Sequence, residues 1–123
     1  MTSDALVLVA DDDRNLRSTA SAILRGEGYA VVEAGDGNEA LAMLLQHPVA
    51  VLVLDVRMSR RDGFAVLDEL GSPPPMVLLA SAYEFSGSDR ARAGAKVFRY
   101  LRKPVPPASL ITAVADAVAA GRQ

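Results

Sequence analysis

The chain has 123 residues, half of them hydrophobic and 23% charged, which supplies a real core for one domain and no second lobe. It has no cysteine and one histidine, so disulfide frameworks, thiolate zinc sites, cysteine nucleophiles and multi-histidine metal sites are excluded. The net charge of −2 argues against a nucleic-acid binder resting on bulk positive charge. No apolar run reaches the ~18 residues of a membrane span. The start, Met1-Thr2-Ser3-Asp4, lacks the basic region of a signal peptide, so a soluble cytoplasmic domain is expected. Charge is unevenly spread. Residues 1–56 hold nine acids against three arginines, and residues 57–123 hold ten bases against six acids. That hints at an acidic site in one half and a partner surface in the other.

In chain order, the first apolar run, Leu6–Ala10, barely alternates, the mark of a strand buried on both faces. Arg14–Arg25 follows as a helix, with Leu16, Ala20, Ile23 and Leu24 on one stripe and Gly26 or Gly28 to stop it. Ala30–Ala34 is the second strand. Asn38–Gln46 is a helix opened by Asp36 with Glu39 three residues later and closed by Pro48. Val49–Leu54 is the third strand. Gly63–Leu70 is a helix with Phe64, Leu67 and Leu70 on one face, ended by Gly71 and three prolines. Met76–Ala80 is the fourth strand. Ser86–Ala95 is the weakest helix, with two glycines and no large apolar residue, expected short or mobile. Val97–Leu101 is the fifth strand, and Pro107–Ala120 is a helix carrying Leu110, Val114 and Val118.

Five βα units in succession predict an α/β fold, a doubly wound parallel sheet with helices on both faces and strand order 2-1-3-4-5. Ligands of such sheets bind beyond the carboxyl ends of the strands. Those ends bring Asp11-Asp12-Asp13 after strand 1, Asp55 at strand 3, Ser81 at strand 4 and Lys103-Pro104 at strand 5. Asp55 closes a continuous apolar run, a setting in which a carboxylate is expensive unless paired or metal-bound. Mg2+ and one lysine would balance three carboxylates, and Mg2+ prefers a few carboxylates with waters and a phosphate. The set points to phosphoryl chemistry with a carboxylate nucleophile. A flavin phosphate would be repelled by three Asp residues. G-x-G-x-x-G is absent. A haloacid-dehalogenase-like phosphatase would need an acid at the position of Arg57. His47, beside Pro48, reads as a solvated cap residue.

The segments Leu6 to Asp13, Leu52 to Met58 with Asp62-Gly63, Ala80-Ser81-Ala82, and Gly94-Ala95 leading to Tyr100-Leu101-Arg102-Lys103-Pro104 resemble the response-regulator receiver domain of two-component signalling, with its CheY-like fold. The resemblance covers about residues 5–120 and treats 1–123 as one receiver domain. It implies Asp55 as phosphoacceptor, fed by a histidine kinase, a phosphotransfer protein or a small phosphodonor. It implies Mg2+ held by Asp11, Asp12, Asp55 and the backbone carbonyl of Arg57. Ser81 is then the switch hydroxyl, Lys103 the family's lysine with a cis bond to Pro104, and Tyr100 the rotating aromatic, with Phe98 as its competitor. The output is expected through helix 4, strand 5 and helix 5 to a protein target, without direct nucleic-acid or membrane binding. No output segment follows Gly121, so either a stand-alone receiver or a piece of a longer regulator is expected. The family's usual proline after Met58 is replaced by Ser59, so a looser loop is expected there. The alternative is a receiver-like interaction module that no longer depends on phosphorylation.

Overall fold

The computed structural model describes residues 5–122; the Met1–Asp4 start lies outside them. The elements alternate as expected: β1 Leu6–Ala10, α1 Arg14–Gly26, β2 Ala30–Ala34, α2 Gly37–Gln46, β3 Val51–Asp55, α3 Gly63–Asp68, β4 Met76–Ser81, α4 Gly87–Ala93, β5 Arg99–Arg102 and α5 Pro107–Gly121. All strand pairs are parallel, in the order β2-β1-β3-β4-β5.

The missing alternation of the strands has a direct cause. Successive side chains point to opposite faces, and both faces are covered. Leu8, Leu52, Leu54, Val77 and Leu79 pack with Ala40, Phe64, Val66 and Leu67 on the side of α2, α3 and α4. Val7, Val9, Val51, Leu78 and Leu101 pack with Leu24, Leu110, Val114 and Ala117 on the side of α1 and α5. The three inner strands, β1, β3 and β4, are therefore apolar at nearly every position, and only their ends can be polar.

Several boundaries differ from the sequence reading. β3 starts at Val51 because Pro48 offers no N–H and Val49 N–H turns back to the His47 carbonyl at 3.0 Å. β5 runs Arg99–Arg102 rather than Val97–Leu101. A 3-10 turn at Gly94–Lys96, entered through Gly94 at φ 60°, uses up the preceding residues. α4 is short, seven residues, and is opened by a full capping box between Ser86 and Asp89. α3 ends at Asp68, yet Leu70 still packs on the core. Leu16, expected on the buried stripe of α1, is 47% exposed and lines a pocket shared with Asp11, Asp55 and Lys103 instead of the core. His47 caps α2 through its N–H to Met43, as a cap residue should.

The site at the carboxyl edge of the sheet

β1 and β3 are neighbours, with Ala10 opposite Leu54, so the residues that follow them meet. Asp11 and Asp55 are both buried, whereas Asp12 points to solvent. One carboxylate oxygen from each of Asp11, Asp12 and Asp55 lies within 4.8 Å of the others, a donor set able to hold a metal ion. Lys103, delivered by the end of β5, donates to Asp11 Oδ2 at 2.8 Å, and its Nζ lies 3.1 Å from Asp55 Oδ1. The pairing joins groups 92 residues apart in the chain. The Lys103–Pro104 bond is cis, as expected.

The electrostatics are unbalanced. Burial, joined by the charge of Asp11, pushes Asp55 up from 3.8 to about 6, against the pull of Lys103 and of the Arg57 amide. Burial also works against the charge on Lys103. Its hydrogen bond to Asp11 and the charges of Asp55 and Asp11 outweigh that and hold it above its ordinary value. One cation among three carboxylates leaves negative charge over, which is the electrostatic demand of a second cation.

Ser81 is buried at the end of β4, one residue beyond Ala80, the register partner of Asp55. Its Oγ accepts from the Tyr83 N–H at 3.0 Å. Arg57 stands two residues past Asp55, and its guanidinium lies 4.6 Å from the Tyr83 ring centre, tying the loops after β3 and β4 together. Tyr100 lies away from the carboxylates. It is half-buried on β5, its ring 4.7 Å from Phe85 and 4.3 Å beneath Arg90. Phe98 precedes β5 at the surface, under Arg99.

Three features were not read from the sequence. Arg17 donates to the Asp11 carbonyl at 2.8 Å and to Glu33 at 3.1 Å, bracing the acidic loop from α1. Asp13, which caps α1, also donates its N–H to Asp11 Oδ1 at 2.9 Å. The loop after β3 is also firmly held despite Ser59. Arg60 pairs with Asp36, and Arg61 bonds Asn38 at 2.8 Å. Spacing within one element could not have disclosed the pairs of Arg17 with Glu33, Arg60 with Asp36 and Arg61 with Asn38, because each joins elements distant in sequence.

A parallel five-stranded sheet with acids at the carboxyl ends of strands 1 and 3 and a lysine just past strand 5 is the arrangement of a response-regulator receiver. The chain belongs to that family: the model of the response regulator receiver domain matches residues 7–115. Among its relatives, the transcriptional regulatory protein PdtaR of Mycobacterium tuberculosis is 39% identical over 121 residues, covering 95% of this chain and 58% of that protein. The chain thus spans little more than half the length of this curated relative. The transcriptional regulatory protein GlrR of Escherichia coli is 33% identical, over 93% of this chain and 26% of its own. The chemotaxis response regulator CheY4 of Vibrio cholerae superposes with a TM-score of 0.83 at 28% identity, covering 94% of this chain and 99% of its own.

Proposed function

We propose that this chain, read over 1–123 as one receiver domain, accepts a phosphoryl group on Asp55 and relays the event to a protein partner. The observation that carries the reading is Lys103 Nζ within 3.1 Å of both Asp11 and Asp55, inside a group of three carboxylates. A buried nucleophile thus has one fixed cation beside it and ligands for another. The donor set fits Mg2+: Asp11, Asp12, Asp55 and the Arg57 carbonyl are hard oxygens, with no histidine or thiolate among them. Bound Mg2+ would offset the negative charge on the oxygens of the transferring group.

The donor is a phosphohistidine on a histidine kinase or phosphotransfer protein, or a small acyl phosphate. An Asp55 oxygen attacks phosphorus. The new O–P bond forms as the bond to the donor imidazole or acyl oxygen breaks, and the leaving group keeps that electron pair. Lys103 stays protonated and faces the added charge. The Ser81 hydroxyl, whose oxygen is engaged by Tyr83 N–H, keeps its proton for a phosphoryl oxygen. The chemistry is limited to this transfer and the later loss of the group. Drawing Ser81 toward the phosphoryl group moves the loop ahead of α4 and frees space for Tyr100 to turn. The face of α4, β5 and α5 then changes for its protein target. Neither nucleic acid nor membrane is a partner of this domain in this reading, and its place is the cytoplasm. Among the described residues no helix is long and apolar enough to cross a membrane.

Incubation with acetyl phosphate and Mg2+ tests the assignment. Intact mass should show one added phosphate in the wild type and none in Asp55→Asn. Labelling of Asp55→Asn at wild-type level overturns it. A wild type that takes neither phosphate nor beryllofluoride favours a module that works without phosphorylation.

A further inference from the structure

The β3–α3 loop, residues 56–62, brings the Arg57 main chain against Asp55 and then turns in a strained way. Arg60 has φ 70°, and Arg61 N–H reaches back two residues to the Ser59 carbonyl at 2.8 Å. A tight three-residue turn with a non-glycine residue in this conformation is rare. Strain at such a position persists only where the surroundings impose it.

The surroundings here are the first turn of α2. Asp36 caps the helix by accepting from Glu39 N–H at 2.8 Å through Oδ1, and its Oδ2 lies 3.3 Å from Arg60 Nε. Asn38 accepts from Arg61 Nε at 2.8 Å. Gly37 N–H donates to the Ser59 carbonyl at 3.4 Å. Gly37 is buried, and a Cβ on it would sit 2.1 Å from the Arg61 carbonyl oxygen and 2.4 Å from Arg61 Cβ. Its backbone is not in the left-handed region, so glycine is required here for space and not for conformation. Ser59 leaves free a torsion that a proline ring would lock, and these contacts restrain the loop in its place.

We propose that Asp36, Gly37 and Asn38 are positioning residues for the cation site: the first turn of α2 clamps the β3–α3 loop so that the Arg57 main chain stays in place beside Asp55. The inference rests on reading Asp11, Asp12 and Asp55 as a Mg2+ site.

Two variants of the full chain test it. Gly37→Ala pushes the loop away. Asp36→Ser keeps the helix cap and removes the pair with Arg60. Calorimetry should show the Mg2+ Kd of Gly37→Ala raised about 10-fold, and that of Asp36→Ser raised less, a size usual for groups that orient metal ligands. Phosphorylation by acetyl phosphate should need correspondingly more Mg2+, while its rate at saturating Mg2+ stays within about twofold of wild type. In metal-free protein the Arg61 amide should exchange faster in both variants, a change that a helix effect alone does not produce. A wild type that binds Mg2+ beside variants of unchanged Kd overturns the clamp. A wild type that binds none overturns the reading of the site instead. Should Gly37→Ala fail to fold, Asp36→Ser and Asn38→Ala decide by the same comparison.

Discussion

At the scale of single residues, the conflict sits on Asp55. It is 6% exposed and its pKa is raised to about 6 from 3.8, so the folded protein holds that proton more tightly than the unfolded chain. Ionising Asp55 therefore works against folding. The loss begins near pH 4, grows as pH rises through about 6, and persists above it. Metal-free Asp55→Asn should accordingly be more stable than wild type at pH 7, on the order of 2 kcal/mol, with little difference at pH 4. Urea unfolding across that range checks it, and an equal gap at both pH values contradicts the shift. Arg17 presents the opposite case, a charged side chain fully employed. Its guanidinium reaches Glu33 and the Asp11 carbonyl through two nitrogens fixed in one plane, a fork that the point charge of a lysine does not reproduce. Arg17→Lys should lower stability by about 1–2 kcal/mol. The acids of the site were legible because each follows an apolar run. Arg17 was not, because in a helix it reads as one more solvated base.

At the scale of elements, α1 and α4 carry the clearest defects and devices. Ser21 lies wholly buried in α1, and its Oγ has no hydrogen-bond partner among the described residues. Ser21→Ala removes an unsatisfied group and adds helix propensity, so a gain of about 1 kcal/mol is expected in thermal or urea unfolding. α4 is seven residues long and depends on the box made by Ser86 and Asp89, with bonds of 2.8 and 3.0 Å. Ser86→Ala should loosen it by about 1 kcal/mol, read as faster amide exchange confined to residues 86–96. Element types were legible from periodicity. Ends were less so. β5 starts two residues later and ends one residue later than the apolar letters Val97 to Leu101 predict, because the 3-10 turn at Gly94–Lys96 comes between α4 and the strand. Leu16 fits the apolar stripe of α1 yet faces the pocket beside Asp11 and Asp55 and not the core.

At the scale of the whole molecule, cation binding and folding are linked. A site of a few carboxylates and waters should bind Mg2+ in the ~millimolar range. Mg2+ at ten times Kd should then stabilise the protein by about 1.4 kcal/mol. Thermal unfolding should show this as a rise of a few degrees in wild type and none in Asp12→Ala. Phosphorylation should act further. Amide spectra with beryllofluoride should change along residues 82–102 as well as around Asp11 and Asp55, and Ser81→Ala should shrink the distant changes. Changes that never leave the loops around Asp11 and Asp55 would refute the proposed relay to α4, β5 and α5.

The βα repeat, the parallel sheet and the edge on which its chemistry lies were all legible in the amino-acid sequence. Those follow from short-range patterns: an apolar run buried on both faces can be polar only where it ends, and Asp11, Asp55, Ser81 and Lys103 stand at such ends. The distances that make the set a site, the exposure of Asp12, the 2.8 Å bond between Lys103 and Asp11, and the contacts of α2 with the loop after β3 emerge only in the folded chain. These join residues far apart in the chain, and their geometry depends on strand register and helix packing together. No periodicity within a single element carries that information, and even a glycine such as Gly37 shows its purpose only when the backbone it must admit is in place.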